Sequence, residues 1–258
     1  MRVIDCSKNS AHNQAAGAHD LVMTPIMGVR RRAWINLDQI VTNFLAHEYY
    51  GASLTVDLRA NAYGHGLLDV ARALRDAGAR SFLVSTPADE EILHSAGMRS
   101  TLSLHGEAGS HRLVGVELFG LTETTKDTTA LRLVAEVIAV KRVPAHRGVS
   151  YGYTYRTPKE TTLALVGLGF ADGLVRAASN RAPVLVNDTP GHITGRIAMD
   201  QFVVDVGDAA VSPGDPVVVF GRALDNEPTV HEWAQLVGIP AEVLTTRLGS
   251  RIERWAVA

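Results

Sequence analysis

The segment DLRANAYGHG at residues 57–66 places charged, aromatic and imidazole side chains between a β-branched run and a glycine-bounded turn. Strand-to-helix turns of this kind carry the chemistry of many α/β enzymes. A lysine at position 59 would supply a nucleophilic amine, but the residue is Arg59. Its guanidinium stays protonated, so it is neither a nucleophile nor a base.

Two roles remain for Arg59. Asp57 stands two residues earlier on the predicted strand, and alternate residues of a strand share a face. We therefore expect an Asp57–Arg59 ion pair, with bidentate binding of an external anion as the alternative. His65, between two glycines, is predicted to be a turn residue. No HExxH motif or paired-cysteine spacing is present, so no metal site is predicted.

The elements around this segment alternate strand and helix from Arg31 onward. The predicted strands are RRAWIN, SLTVDL, SFLVST, STLSL and, after the loop HGEAGSHR, VGVELFG; the predicted helices are LDQIVTNFLAHEYY, LLDVARALRDAG and PADEEILHSAG. Such a βαβαβ run is typical of a parallel sheet.

From Leu131 the sequence changes to short β-branched segments separated by Gly, Pro, Asp and Asn, which predicts a small β-barrel or sandwich. One helix is predicted within it, at HEWAQLVG after the capping box that Thr229 opens. We divide the chain into a loose or disordered N-terminal arm (1–30), a partial β/α barrel (31–125) and a C-terminal β-domain (126–258). The strand at 31–36 is a candidate to pack on the β-domain.

Four motifs follow one another along the chain: NAYGHG at 61–66, VSYG at 149–152, GFADG at 169–173 and GRIAMDQ at 195–201. Together they resemble the alanine racemase family, and the resemblance runs from about Arg32 to the closing RIERW. It implies a (β/α)₈ barrel that binds pyridoxal phosphate, a C-terminal β-domain, and a head-to-tail dimer whose sites are built from both chains.

The sequence departs from the family in two respects. The family has its Schiff-base lysine at the position of Arg59. A (β/α)₈ barrel also needs at least about 200 residues, whereas residues 33–120 are available here, and STLSL, like a third barrel strand, is followed by VGVELFG, like an eighth. The fold class expected is therefore α/β plus β, with a truncated barrel. Its cut edges either meet or associate with a second chain.

The resemblance assigns roles to further positions. Tyr151 matches the second catalytic base, Met199 and Asp200 match the substrate pocket, and Tyr63, Gly115 and Phe170 match cofactor-binding positions. Phe170 replaces a family tyrosine. The arginine that contacts the pyridine nitrogen in the family is replaced by Leu113, with Arg112 on the other face of the strand. The β-domain half of the site thus matches better than the barrel half.

Two classes of function follow. The favoured one is an alanine-racemase-like protein without racemase activity or bound cofactor, a binding or regulatory partner in D-alanine or peptidoglycan metabolism. It would form a homodimer, or a heterodimer that lends Tyr151 to an authentic racemase. The alternative is an enzyme of the family, which converts L-alanine to D-alanine or has a related activity with non-covalent pyridoxal phosphate. A different reaction that uses Arg59, Tyr151 and Glu117 or His105 is a further form of this alternative.

The net charge and composition argue against nucleic acid and membranes as partners. The 258 residues carry a net charge of −2, which gives no basic footprint for nucleic acid or an acidic membrane. The single cysteine, Cys6, cannot form an internal disulfide, and no apolar run approaches the ~20 residues that span a bilayer. The start also lacks the pattern of a secretory signal. We therefore expect a cytoplasmic protein.

Overall fold

The computed structural model describes residues 30–48, 54–102 and 112–257. Most of the predicted N-terminal arm, with Cys6, and the HGEAGSHR loop, with His105, lie outside these residues. No helix in the described ranges has the length and apolarity to cross a membrane.

The first half of the described chain forms a small parallel sheet. After β1 (Arg32–Asn36) and the helix Leu37–Glu48 come β2 (Leu54–Asp57), β3 (Phe82–Val84), β4 (Ser100–Leu102) and β5 (Arg112–Val114). The order in the sheet is β4-β3-β2-β5, and every pair is parallel. β4 and β5 are its end strands, so the described sheet is open and its two edges do not meet.

Helices Leu67–Asp76 and Pro87–Ser95 connect the strands of this sheet. The first buries the four side chains that share its predicted face, Leu67, Val70, Ala71 and Leu74. The second starts with a proline after Thr86, whose hydroxyl accepts a hydrogen bond from Asp89 N. Local sequence therefore accounts for both helices.

The strands of the second half that pair with one another are all antiparallel. Its strands are β6 (Leu131–Val143), β7 (Gly148–Val149), β8 (Tyr155–Arg156), β9 (Thr161–Val166), β10 (Pro183–Val186), β11 (Thr189–Thr194), β12 (Phe202–Gly207), β13 (Pro216–Phe220) and β14 (Glu253–Val257). Six of them follow the order β13-β10-β11-β12-β9-β6, and β13 also pairs with β6, which closes a barrel. β1 joins this sheet between β6 and β14. It therefore ties the start of the described chain to its end.

Two predicted elements were wrong. VGVELFG is not a strand: β5 ends at Val114, Gly115 breaks the extended backbone, and Val116–Phe119 form a 3-10 helix that buries Leu118 and Phe119. The β-domain also contains two α-helices where one was predicted, because Ala241–Thr246 follows Val230–Val237 after Pro240. The capping box predicted at Thr229 and Glu232 is present.

Candidate functional site

The segment after β2 folds as one turn of left-handed helix. Four consecutive non-glycine residues, Ala60 to Tyr63, have φ between 52° and 57°. Each such residue costs about 1–2 kcal/mol relative to the right-handed form. Position 59 is thus not on the strand as predicted but opens a strained turn. Strain of this kind persists only where the surrounding structure fixes it.

The C-terminal segment supplies that support. Arg254 on β14 donates from Nε to Gly64 O at 2.7 Å and from Nη2 to Leu248 O at 2.7 Å. Asn61 Oδ1 accepts a hydrogen bond from Leu67 N at 2.8 Å, which joins the turn to the following helix. A Cβ at Gly64 would lie 2.1 Å from Thr245 O, so only glycine fits there. The turn is clamped between the two halves of the chain.

Asp57 is the centre of a polar cluster that we call the Asp57 cluster: Asp57, Arg59, Tyr63, Gly115 and Glu117. Arg59 donates from Nε to Asp57 Oδ1 at 2.9 Å and from Nη2 to Oδ2 at 2.6 Å. The backbone N–H of Arg59 and the hydroxyl of Tyr63 also donate to this carboxylate, at 3.0 and 2.8 Å. The Asp57 side chain is 2% exposed. A buried carboxylate with four donors is fully satisfied.

The electrostatics keep the pair charged. Burial raises the pKa of Asp57, but hydrogen bonds from Arg59 and Tyr63 outweigh burial and leave this pKa below its ordinary value. The hydrogen bond to Asp57 raises the pKa of Arg59 further. Burial and the adjacent Asp57 raise the pKa of the Tyr63 phenol. None of the three groups is therefore poised to exchange a proton near neutral pH.

Gly115 closes the cluster from β5. A Cβ at this position would lie 3.0 Å from both Asp57 Cβ and the Tyr63 hydroxyl, so the backbone passes close to the carboxylate because the residue is glycine. The Gly115 N–H donates to Glu117 Oε2 at 3.0 Å. The Gly115 N–H is thus already hydrogen-bonded to a carboxylate of the chain itself. Leu113 is half-buried and Arg112 exposed.

His65 is buried, and its Nδ1 faces backbone carbonyl oxygens. Its Nδ1 lies 3.1 Å from the carbonyl oxygens of Ala62 and Tyr63, and its ring centroid lies 4.4 Å from that of Phe119. Burial lowers its pKa to about 4, so the ring is neutral at pH 7. Across the described residues no cluster of His, Cys, Asp and Glu is arranged to hold a metal ion.

The β-domain positions lie together on another surface. Tyr151 and Tyr153 belong to a 3-10 turn between β7 and β8, and their neighbour Ser150 donates to Arg196 O at 2.6 Å. The backbone N–H groups of Phe170 and Ala171 donate to the carbonyls of Ala198 and Met199. We call the exposed side chains of Tyr151, Tyr153, Phe170 and Met199 the aromatic face.

Ion pairs connect the segments that carry this surface. Asp200 accepts a hydrogen bond from Arg251 Nη1 at 2.7 Å, and Arg251 Nε lies 2.9 Å from the buried Asp172. Arg31 Nε lies 3.3 Å from the same carboxylate. Asp172, Arg251 and Arg254 were not among the residues predicted for the site. Their only signals in the sequence were the motif GFADG, which contains Asp172, and the pattern RIERW, which contains both arginines.

The two groups of residues have no polar contact with each other in the described part of the chain. No hydrogen bond or ion pair of the described residues joins the Asp57 cluster to the aromatic face, and the Tyr151 hydroxyl bonds to no described residue. Tyr151 is 70% exposed.

Two family models match the chain. The model described as the alanine racemase N-terminal domain matches residues 35–152, and that of the alanine racemase C-terminal domain matches 130–256. A protein named alanine racemase from Streptomyces coelicolor is 42% identical over 172 residues, covering 64% of this chain and 44% of the relative. One from Thermobifida fusca is 48% identical over 125 residues, covering 48% of this chain and 33% of the relative.

Solved structures give the same family. The alanine racemase of a D-cycloserine-producing Streptomyces lavendulae aligns with a TM-score of 0.81 at 25% identity, spanning 90% of this chain and 98% of that one. The S. coelicolor A3(2) alanine racemase aligns with a TM-score of 0.81 at 27% identity, spanning 88% and 98%. The chain spans less than half the length of the relatives that it matches in sequence. From both halves of its sequence and from its fold, the chain belongs to the alanine racemase family.

Proposed function

We propose that this chain is a member of the alanine racemase family that does not racemise alanine through pyridoxal phosphate. One observation carries the proposal: the residue at the family's lysine position is Arg59, and its guanidinium binds Asp57 through two hydrogen bonds. A covalent bond to the cofactor's aldehyde needs a free amine. Arg59 has none, and its charge is already neutralised inside the chain.

The surrounding donors do not fit the cofactor either. The resemblance assigns Tyr63 and the Gly115 N–H to its phosphate, but Tyr63 donates to Asp57 and Gly115 donates to Glu117. A phosphate placed here would meet two carboxylates, and like charges at this distance repel. The position assigned to the ring nitrogen holds Leu113, which has no side-chain donor. The chain thus provides neither an amine for a covalent bond to the cofactor nor free donors for its phosphate.

Activity and cofactor binding test the proposal together. The purified protein is titrated with pyridoxal phosphate while its absorbance is followed, and D-alanine formation from L-alanine is measured beside the Streptomyces coelicolor racemase. We expect no saturable spectral change and no D-alanine above the protein-free control. Turnover that Tyr151→Phe abolishes would contradict the proposal and would support the alternative of an active family enzyme.

We further propose that the chain acts as a binding partner, and the aromatic face supports this role. Its composition, aromatic residues and methionine beside Arg196, is that of protein interfaces. The end strands β4 and β5 also leave the parallel sheet open in the described structure. Both features favour a homodimer. A heterodimer in which Tyr151 completes the site of an authentic racemase is the second form of the same proposal.

Sedimentation velocity at micromolar concentration tests the homodimer. We expect a dimer for the unchanged chain and a monomer after Tyr151→Ser with Met199→Ser. Leu224→Ser is the matched control, because Leu224 is 76% exposed but lies outside the aromatic face. A monomeric unchanged protein would rule out the homodimer. Co-expression with the S. coelicolor racemase tests the heterodimer, and failure of the two chains to co-purify would rule that out.

A further inference from the structure

A concave site adjoins the aromatic face and shares Tyr153 with it. Five residues, which we call the arginine pocket, line a cavity of about 320 Å³: His146, Arg147, Gly148, Tyr153 and Arg156. This volume is at the lower end of the range for small-molecule sites. The lining contains two guanidinium groups, an imidazole and a phenol, and no carboxylate.

The cations in this pocket lack counter-charges, although acidic residues are near in sequence. Glu160 and Asp208 both bind Arg142, outside the pocket. Asp205 accepts hydrogen bonds from the hydroxyls of Tyr155 and Thr161. Each acid of this region is therefore engaged elsewhere.

The two pocket arginines form no ion pair with any described residue. Arg156 donates only to the carbonyl oxygen of His146, at 3.1 Å, and lies 5.9 Å from the ring centroid of Tyr153. Arg147 has no side-chain hydrogen bond within the described ranges. Two guanidinium groups on one concavity repel each other unless an anion lies between them.

The base of the pocket is rigid. Thr157 is fully buried, and its hydroxyl accepts from Arg147 N at 2.9 Å and donates to Pro144 O at 2.8 Å. The His146 N–H donates to Thr157 O at 2.7 Å. A Cβ at Gly148 would lie 2.5 Å from the Tyr153 ring, so the ring is seated directly on the glycine. The backbone of the lining is thus fixed before any ligand arrives, while the side chains of Arg147 and Arg156 are exposed to solvent.

We infer that the arginine pocket binds a phosphate-type oxyanion. Guanidinium groups match the tetrahedral oxygens of phosphate with paired N–H donors. The Tyr153 hydroxyl and the His146 imidazole supply further polar groups on the lining. This site is separate from the Asp57 cluster, and the proposal does not depend on the absence of racemase activity.

Calorimetric titration of the purified chain with inorganic phosphate, and separately with acetate, tests this site. We expect saturable phosphate binding that weakens as NaCl is raised, and at least tenfold weaker binding in both Arg147→Gln and Arg156→Gln, since each removes charge-assisted donors. Arg142→Gln is the matched control, because Arg142 is paired with Glu160 and Asp208 and should leave the affinity within twofold. Far-UV circular dichroism verifies that all variants are folded.

Three results would overturn the inference. These are the absence of saturable binding at millimolar phosphate, equal weakening by Arg142→Gln, and acetate binding as tight as phosphate binding. The last would show that the pocket selects carboxylates.

Discussion

The Asp57–Arg59 pair is expected to act as a structural unit, and removing one partner should cost more than removing both. The Asp57 side chain is 2% exposed in the unchanged chain, and Arg59→Met leaves its carboxylate only the Tyr63 hydroxyl and one backbone N–H as donors. Breaking a buried ion pair costs about 3–5 kcal/mol. Because the Arg59 side chain is 29% exposed, water reaches part of the site, and we expect a loss of about 3 kcal/mol.

The double variant Asp57→Asn with Arg59→Met removes the uncompensated charge. We expect it to lose about 2 kcal/mol and to be less destabilised than the sum of the two single variants by at least about 1 kcal/mol. Urea unfolding at pH 7, with the slope unchanged among variants, measures these differences. The matched control is Arg75→Met, whose partner Asp76 is exposed, and its cost should stay below about 0.5 kcal/mol.

The same pair predicts a pH dependence. The folded-state pKa of Asp57 is lowered, so its contribution is fully present above the unfolded value of about 3.9 and is lost as pH falls through the folded value. The stability difference between the unchanged chain and Asp57→Asn should be constant from pH 5 to 8 and should shrink below about pH 4. Additive effects of the two substitutions, or an Arg59→Met variant as stable as the unchanged chain, would show that Asp57 and Arg59 do not act as a coupled pair.

Three further predictions concern the left-handed turn. Gly64→Ala should lower the free energy of unfolding by several kcal/mol more than Gly238→Ala, as measured in urea. Both glycines have positive φ, but only a Cβ at position 64 would meet Thr245 O. Equal costs would contradict the clamped turn. Arg254→Met should cost about 3 kcal/mol in the same assay, since it leaves four carbonyl contacts unmade, and a loss below 0.5 kcal/mol would show that the clamp is dispensable. His65 has a pKa of about 4 in the folded chain, so below pH 6.5 it takes up a proton on unfolding. The free energy of unfolding should therefore fall between pH 6.5 and 4 by at most about 1.4 kcal/mol per pH unit. The fall should be shallower in His65→Gln.

Local patterns in the sequence were sufficient for most strands and helices. The face of the helix Leu67–Asp76 and the capping box at Thr229 have local causes, and both are present in the structure. The failure at VGVELFG also has a local cause, since Gly115 interrupts a run that is otherwise apolar enough for a strand. The apolar residues alone favour a strand, but the glycine among them ends it.

The left-handed turn could not be predicted from its own residues. Ala60, Asn61, Ala62 and Tyr63 prefer other conformations, and the turn depends on Arg254, about 190 residues away along the chain. Asp57 and Arg59 do pair, but the expected reason was wrong, because the strand ends at Asp57 and the turn brings the guanidinium back. Contacts distant in sequence thus decide the geometry of the site. The hydrogen bond from Gly115 N–H to Glu117 was also not predicted. It depends on the 3-10 helix that contains Glu117, which was predicted to be a strand.

The most direct test of the account is intact-mass analysis after incubation with pyridoxal phosphate and reduction with borohydride. The Streptomyces coelicolor racemase, treated in parallel, is the positive control for covalent attachment. We predict that the mass of this chain stays unchanged, because the amine required at position 59 is replaced by a guanidinium bound to Asp57. A stoichiometric mass gain, mapped by peptide analysis to one lysine of the chain, would contradict the account.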